Sequence, residues 1–241
     1  MIETADTGPD SIPAVRCLIA GLGRSCNAGS EKMKTIYFDN NATTRVADEV
    51  LEEIRPLFCD LYGNPSSMHT FGGQIGRRIR RAREQAAALL GCDPSEIIFT
   101  SGGTESDNAA IKGALAAQPN KRKIITSRVE HPAVLTVCRD LENQGYTVVE
   151  LSVDKQGRLD LAELHEHLDE DTALVTIMYA NNETGTVFPI DRISQMVANK
   201  GVVFHTDAVQ AVGKIPLNLS RSTIDLLSLS GHKLHAPKGV G

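Results

Sequence analysis

Thr100-Ser101-Gly102-Gly103-Thr104-Glu105 closes a short apolar run, Ile97–Thr100, and opens a run with helical spacing, Glu105–Ala117. A strand end, a glycine turn and a helix start in that order form the arrangement that holds a phosphate, because unpaired backbone N–H groups and the helix dipole face the anion together. Outward from this stretch the pattern repeats. Strand-like runs at Lys123–Ser127, Thr147–Leu151, Ala173–Tyr179, Val202–Thr206 and Ile224–Leu229 alternate with helix-like runs at Pro132–Asn143, Leu161–Leu168 and Ile190–Asn199. Ile75, Ile79, Ala82, Ala86 and Leu89 mark a longer helix before the first strand. The alternation predicts an α/β fold of three αβα layers, a mostly parallel sheet covered by helices on both faces. Right-handed crossovers then gather the carboxyl ends of the strands at one edge, where ligands bind in such sheets. Ser101–Thr104, His131, Asn181-Asn182, Asp207 and Ser230–Lys233 all fall at that edge.

A chain of 241 residues can bury one sizeable α/β core. The formal net charge of -5 provides no overall basic field, so nucleic acid is not an expected partner. No apolar run reaches the length of a membrane span, and the chain does not open with the basic-then-apolar layout of a signal peptide; the expectation is a cytoplasmic protein away from membranes. Cys17, Cys26, Cys59, Cys92 and Cys138 are scattered without a CxxC pair, which predicts reduced thiols rather than disulfides or a zinc site. Residues 1–34 are rich in Gly, Ser, Asp and Pro and show no period, so they read as a disordered extension. Met33, just before a patterned stretch that starts with a short strand through Asp39, is a candidate true start, which the intact mass of the native protein would test.

Lys233 in Ser230-Gly231-His232-Lys233 and Asp207 after Val202-Val203-Phe204 supply the two groups that pyridoxal phosphate needs. An amine bonds to the aldehyde, and a buried carboxylate keeps the pyridine nitrogen protonated. Each residue also has a plainer reading: Gly102-Gly103 as an ordinary turn, His131 as a polar residue at a helix start, Asn181-Asn182 as a turn, Lys233 as a surface lysine. Asp207 is harder to explain that way, because a carboxylate at the end of an apolar run is costly to desolvate without a positive partner. Arg77-Arg78-Ile79-Arg80-Arg81-Ala82-Arg83 reads as a solvated helix face. His165 and His167 lie on different sides of a helix, and His232 and His235 have no close third ligand, so no metal site is expected.

Seven ordered motifs resemble the cysteine desulfurases of the class V aminotransferase family. They are Asp39–Thr44, Gly63-Asn64-Pro65-Ser66-Ser67, Thr100–Asn108, Glu130-His131-Pro132-Ala133-Val134, Asn181-Asn182-Glu183-Thr184-Gly185, His205–Gln210 and Ser230–Gly241. The variants at His131-Pro132, Asn182–Gly185 and Lys233–Pro237 are most similar to the nitrogen-fixation branch. The resemblance implies the large domain of a fold-type I pyridoxal 5'-phosphate enzyme over 35–241. It implies Lys233 as the Schiff-base lysine and α-proton base, and His131 as a ring-stacking proton donor or acceptor. Asp207 would pair with the pyridine nitrogen, Gln210 would reach the ring hydroxyl, and Asn182 would lie near that hydroxyl or the substrate carboxylate. Gly103, Thr104, Ser230 and His232 would hold the phosphate. The implied activity removes sulfur from L-cysteine, giving L-alanine and an enzyme persulfide. The implied partners are a second copy of the full-length chain and a sulfur-accepting iron-sulfur scaffold protein.

Members of the family continue past the position of Gly241 with a further strand, a small domain, an arginine for the substrate carboxylate and a loop carrying the nucleophilic cysteine. None of the five cysteines matches that last position. The expectation is an incomplete large domain with little or no desulfurase turnover by itself. The alternatives are a non-catalytic cofactor-binding fragment and a selenocysteine lyase or other enzyme of the same fold.

Overall fold

A computed structural model describes residues 36–241. The extension expected over residues 1–34 and the question of Met33 lie outside the described residues. Five parallel strands form the sheet: β1 (Lys123–Ser127), β2 (Thr147–Leu151), β3 (Thr172–Thr176), β4 (Val203–Asp207) and β5 (Leu226–Ser228). Their order is β2-β1-β3-β4-β5, so the direction of winding reverses between β1 and β3, and a crevice opens there beyond the strand ends.

Side-chain alternation sorts the strands into two cores. Ile124 and Leu174 join Ile111, Leu115, Val134 and Leu141 in one layer, beneath α3 (Gly103–Ala116) and α4 (Pro132–Asn143). Their neighbours Ile125 and Val175 turn the other way and pack with Leu164, Ile190, Ile193, Val197 and Phe204, from α5 (Leu161–His167), α6 (Ile190–Ala198) and β4. The three-layer αβα architecture expected from the sequence is therefore present. It follows that His205 and Asp207, two apart on β4, face the α3 side together.

The chain before the sheet contributes α1 (Asp48–Cys59) and α2 (Thr70–Leu90). The long helix expected around Ile75–Leu89 is α2. Its end is fixed by Gly91, whose φ of 73° lets its N–H reach back to Ala87 O. Helix α1, none of whose residues is buried, was not expected, since Pro56 interrupts its pattern.

Four strand expectations need correction, and the first is the run expected at Ala173–Tyr179, which ends as β3 at Thr176. Ile97–Thr100 is extended but joins no ladder; only Thr100 pairs, exchanging both backbone hydrogen bonds with Gly241 (2.8 and 3.0 Å). Residues 36–39 form no strand. The run expected at Ile224–Leu229 shortens to three residues; just before it Asp225 meets Phe204 twice, its N–H donating to Phe204 O (3.1 Å) and its carboxylate accepting the Phe204 N–H (2.8 Å).

Candidate active site

The loops that leave the strand ends enclose a cavity of about 180 Å³. All nine residues singled out in the sequence line it: Gly103, Thr104, His131, Asn182, Asp207, Gln210, Ser230, His232 and Lys233. Ala42, Asp107, Met178, Ala180 and Val209 complete the wall.

One end is the start of α3. Helix α3 starts without a side-chain cap, and its first intrahelical bond runs from Ser106 N–H to Gly102 O (3.1 Å), which leaves the N–H groups of Gly103, Thr104 and Glu105 open. A β-carbon at Gly103 would stand 3.1 Å from Val209 Cγ2 and 3.5 Å from Ser230, so a side chain there would push Val209 back by a few tenths of an ångström. An open cleft that shares Gly103, Thr104, Ser230 and His232 continues over this helix end toward Lys238.

The loop Ser230–His235 is held by a segment far away in sequence. Thr44 donates from both its N–H (2.9 Å) and its hydroxyl (2.8 Å) to His232 O, and its hydroxyl oxygen accepts the His235 N–H (3.0 Å). The Thr43 hydroxyl meets His232 Nδ1 at 3.0 Å. Burial, followed by the charges of Lys233 and Lys238, holds His232 below the usual histidine range. Lys233 ends a short 3₁₀ turn, Gly231–Lys233, and is half-buried; burial lowers its basicity and the Asp207 charge opposes that fall.

At the other end stands Asp207. Its Oδ1 accepts the Val209 N–H at 2.9 Å, and its second oxygen makes no hydrogen bond among the described residues. His131 caps α4: Nδ1 accepts the Ala133 N–H at 3.1 Å, so the neutral ring carries its proton on Nε2. The pair Asn181-Asn182 divides its duties. Asn181 is the turn residue, its Oδ1 accepting from Glu183 and Thr184 N–H (both 2.9 Å), while Asn182 lines the cavity with its amide bound to Glu183 (2.6 Å). Gln210 is also engaged, donating to Asn41 O (2.9 Å) and accepting from Lys214 (2.7 Å).

Two buried carboxyl groups escaped the sequence reading. Asp107 on α3 lines the cavity and is 1% exposed. Glu130, before His131, accepts from the Ser127 hydroxyl (2.6 Å) and the Met178 N–H (2.9 Å), stapling the end of β1 to the chain leaving β3. Burial, with the Asp207 charge adding to it, pushes Asp107 up to about 8; burial also pushes Glu130 to about 8 against those two hydrogen bonds. Burial drives His205 down to about 3.

These shifts set the sign of the pH dependence. Asp107 and Glu130 stay protonated in the fold while the unfolded chain ionises them, so the stability present below their unfolded values is lost as pH rises toward 8. His205 acts oppositely, but only below its unfolded value of 6.5. Between pH 6.5 and 8 the two carboxyls are expected to remove on the order of a few kcal/mol from the cofactor-free chain, with Lys214 and Lys233, which burial lowers, pulling the other way. Urea midpoints at pH 6.5 and 8 check this; a higher midpoint at pH 8 would contradict the assignment of protons.

Sheet order, the crevice at the winding reversal and a lysine and a buried carboxylate near an open helix N-terminus define a fold-type I α/β architecture. The chain belongs to the aminotransferase class-V family, whose model matches residues 36–241. Over 209 residues it is 68% identical to a cysteine desulfurase of Trichormus azollae, covering 87% of this chain and 52% of that protein. It is 55% identical over 210 residues to the cysteine desulfurase NifS of Azotobacter vinelandii, again covering 87% and 52%. A solved NifS-like protein superposes with a TM-score of 0.84 at 46% identity, covering 86% of this chain and 58% of that one. The chain spans about half the length of the curated relatives it matches.

Proposed function

We propose that residues 35–241 are the pyridoxal 5'-phosphate-binding large domain of a cysteine desulfurase of the nitrogen-fixation type. The observation that carries this reading is the convergence of the Lys233 amine, the Asp207 carboxylate and the uncapped start of α3 on one cavity. The residues fit the cofactor's chemistry: a carboxylate oxygen without a protein partner suits a protonated pyridine, and three open N–H groups suit a phosphate.

In this reading the α3 N-terminus, Ser230 and His232 hold the phosphate, and Asp207 holds the ring nitrogen in its cationic form. Burial lowers the basicity of Lys233, which favours its amine as the group that bonds to the cofactor aldehyde and takes the substrate α-proton. His131 presents its Nε2–H to the cavity for proton transfer. Gln210 and Asn182 serve the ring-hydroxyl side, exchanging contacts they now make with Asn41 and Glu183. When bound, the cofactor supplies an electron sink for the electrons freed at the substrate α-carbon.

The substrate is L-cysteine. The products are L-alanine and a persulfide, passed in the cytoplasm to an iron-sulfur scaffold protein by a full-length homodimer. Among the described cysteines, Cys59, Cys92 and Cys138, none lines the cavity, and burial pushes Cys138 up to about 12. A thiolate to receive the sulfur is therefore not supplied by these walls, which favours a second reading for the isolated chain: a cofactor-binding half without turnover.

The test is an absorbance spectrum of the purified chain with pyridoxal phosphate before and after borohydride, followed by mass analysis of the Lys233 peptide. A visible band converted to a reduced adduct on Lys233 is the expected result. An adduct confined to other lysines, or no band, would leave family membership without a working site.

A further inference from the structure

The floor of the cavity holds two carboxyl groups, and neither has a lysine or arginine ion-pair partner among the described residues. Asp107 rises from the buried face of α3, which it shares with Ile111, Ala114 and Leu115. Asp207 ends β4 and is 6% exposed. The nearest basic group to Asp107 is His205, with Nε2 3.7 Å from Oδ1. That ring is fully buried between two hydroxyls, Thr176 at 2.8 Å and Ser228 at 2.9 Å, and stays neutral.

Two like charges in one water-poor space do not both persist; one group keeps its proton. The contacts decide which. Burial raises both groups, but Asp207 Oδ1 accepts the Val209 N–H and the Lys233 charge adds to it in favouring the ionised form, whereas only the Ser228 hydroxyl favours ionised Asp107, whose Oδ1 is buried with no hydrogen-bond partner. We propose that Asp107 is a positioning residue that holds a proton beneath Asp207, so that the cavity floor offers one negative charge, placed on Asp207, to a cationic ring. The inference rests on the cofactor reading for the identity of that cation.

The groups facing Asp107 are His205 and Asp207 from β4, Glu130 from the loop after β1, and Lys233, His131 and His232 across the cavity. A cation that settles at Asp207 also favours the ionised form of Asp107. Below the Asp107 value so lowered the proton stays in place, above it binding releases the proton, and across this window affinity climbs with pH, about tenfold in total for each unit by which the cation lowers Asp107.

Carbon-13 NMR of the chain labelled at aspartate carboxyl carbons tests the proton directly. One aspartate resonance should keep its protonated position through neutral pH, titrate on the alkaline side and vanish in Asp107→Asn. Asp107→Ser identifies the same resonance if the amide is not accommodated. An Asp107 resonance already ionised at pH 6.5 overturns the proposal. The second arm measures affinity for pyridoxamine 5'-phosphate, which has the ring and phosphate but no aldehyde to react with Lys233. The ratio of wild-type to Asp107→Asn affinity should rise between pH 6.5 and 9, and a flat ratio overturns the coupling. No binding by the wild type at any pH would refute the cofactor reading instead, and the NMR titration would still decide where the proton sits.

Discussion

Replacing Asp207 by alanine is expected to weaken retention of pyridoxal phosphate by roughly two to three orders of magnitude. Removing one partner of a buried, hydrogen-bonded charge pair costs about 3–5 kcal/mol, and each 1.4 kcal/mol is about tenfold in affinity. The geometry puts Asp207 in that class: it is nearly fully buried, one oxygen is fixed by Val209 N–H, and the other has no protein partner. Asp207→Asn keeps an acceptor for Val209 but no charge, so it should lose most of the affinity as well. Dissociation constants from absorbance titration distinguish the outcomes. Affinity within about threefold of wild type in both variants would remove Asp207 from the binding site.

Glu130→Ala is expected to destabilise the chain by about 2–4 kcal/mol, the range for breaking a buried hydrogen-bonded group. The loss strands the Met178 N–H and the Ser127 hydroxyl and leaves a hole where two strand ends meet. Glu130→Gln keeps both contacts through its carbonyl oxygen. Having no proton to lose, it should also flatten part of the fall in stability between pH 6.5 and 8. Urea unfolding of the three proteins provides the comparison. An alanine variant within 1 kcal/mol of wild type would show that Glu130 does not bind the strand ends together, and a glutamine variant with unchanged pH dependence would show that Glu130 holds no proton in the fold.

The sheet was legible because its strands are short apolar runs bounded by turn residues, and four of the five observed strands begin within a residue of where alternation places them. The site was legible for a related reason: parallel topology sends every strand end to one edge, so residues just after the runs must meet. What the pattern missed has physical causes. Helix α1 carries apolar residues at helical spacing, Val50, Leu51, Ile54, Leu57 and Phe58, but Pro56 inside the run argues against a helix there. Ile97–Thr100 has the composition of a strand but not the neighbours of one. Asp107 and Glu130 sit in polar surroundings in sequence, Ser106-Asp107-Asn108 and Val129-Glu130-His131, where a carboxylate attracts no notice. For Asp107 a signal existed: it precedes Ile111 by four residues and Ala114 by seven, so it shares their inward face of α3.

The clasp between Thr43-Thr44 and the His232–His235 loop joins residues 188 to 191 positions apart. Closing a loop of that size carries a large entropic cost that local helices and neighbouring strands avoid, so such a contact forms late in folding. During synthesis the threonines emerge long before their partners exist. Assembly of this wall of the cavity therefore waits for both Thr43-Thr44 and the His232–His235 loop to be present, and the ability to retain a ligand should be among the last native properties the chain acquires.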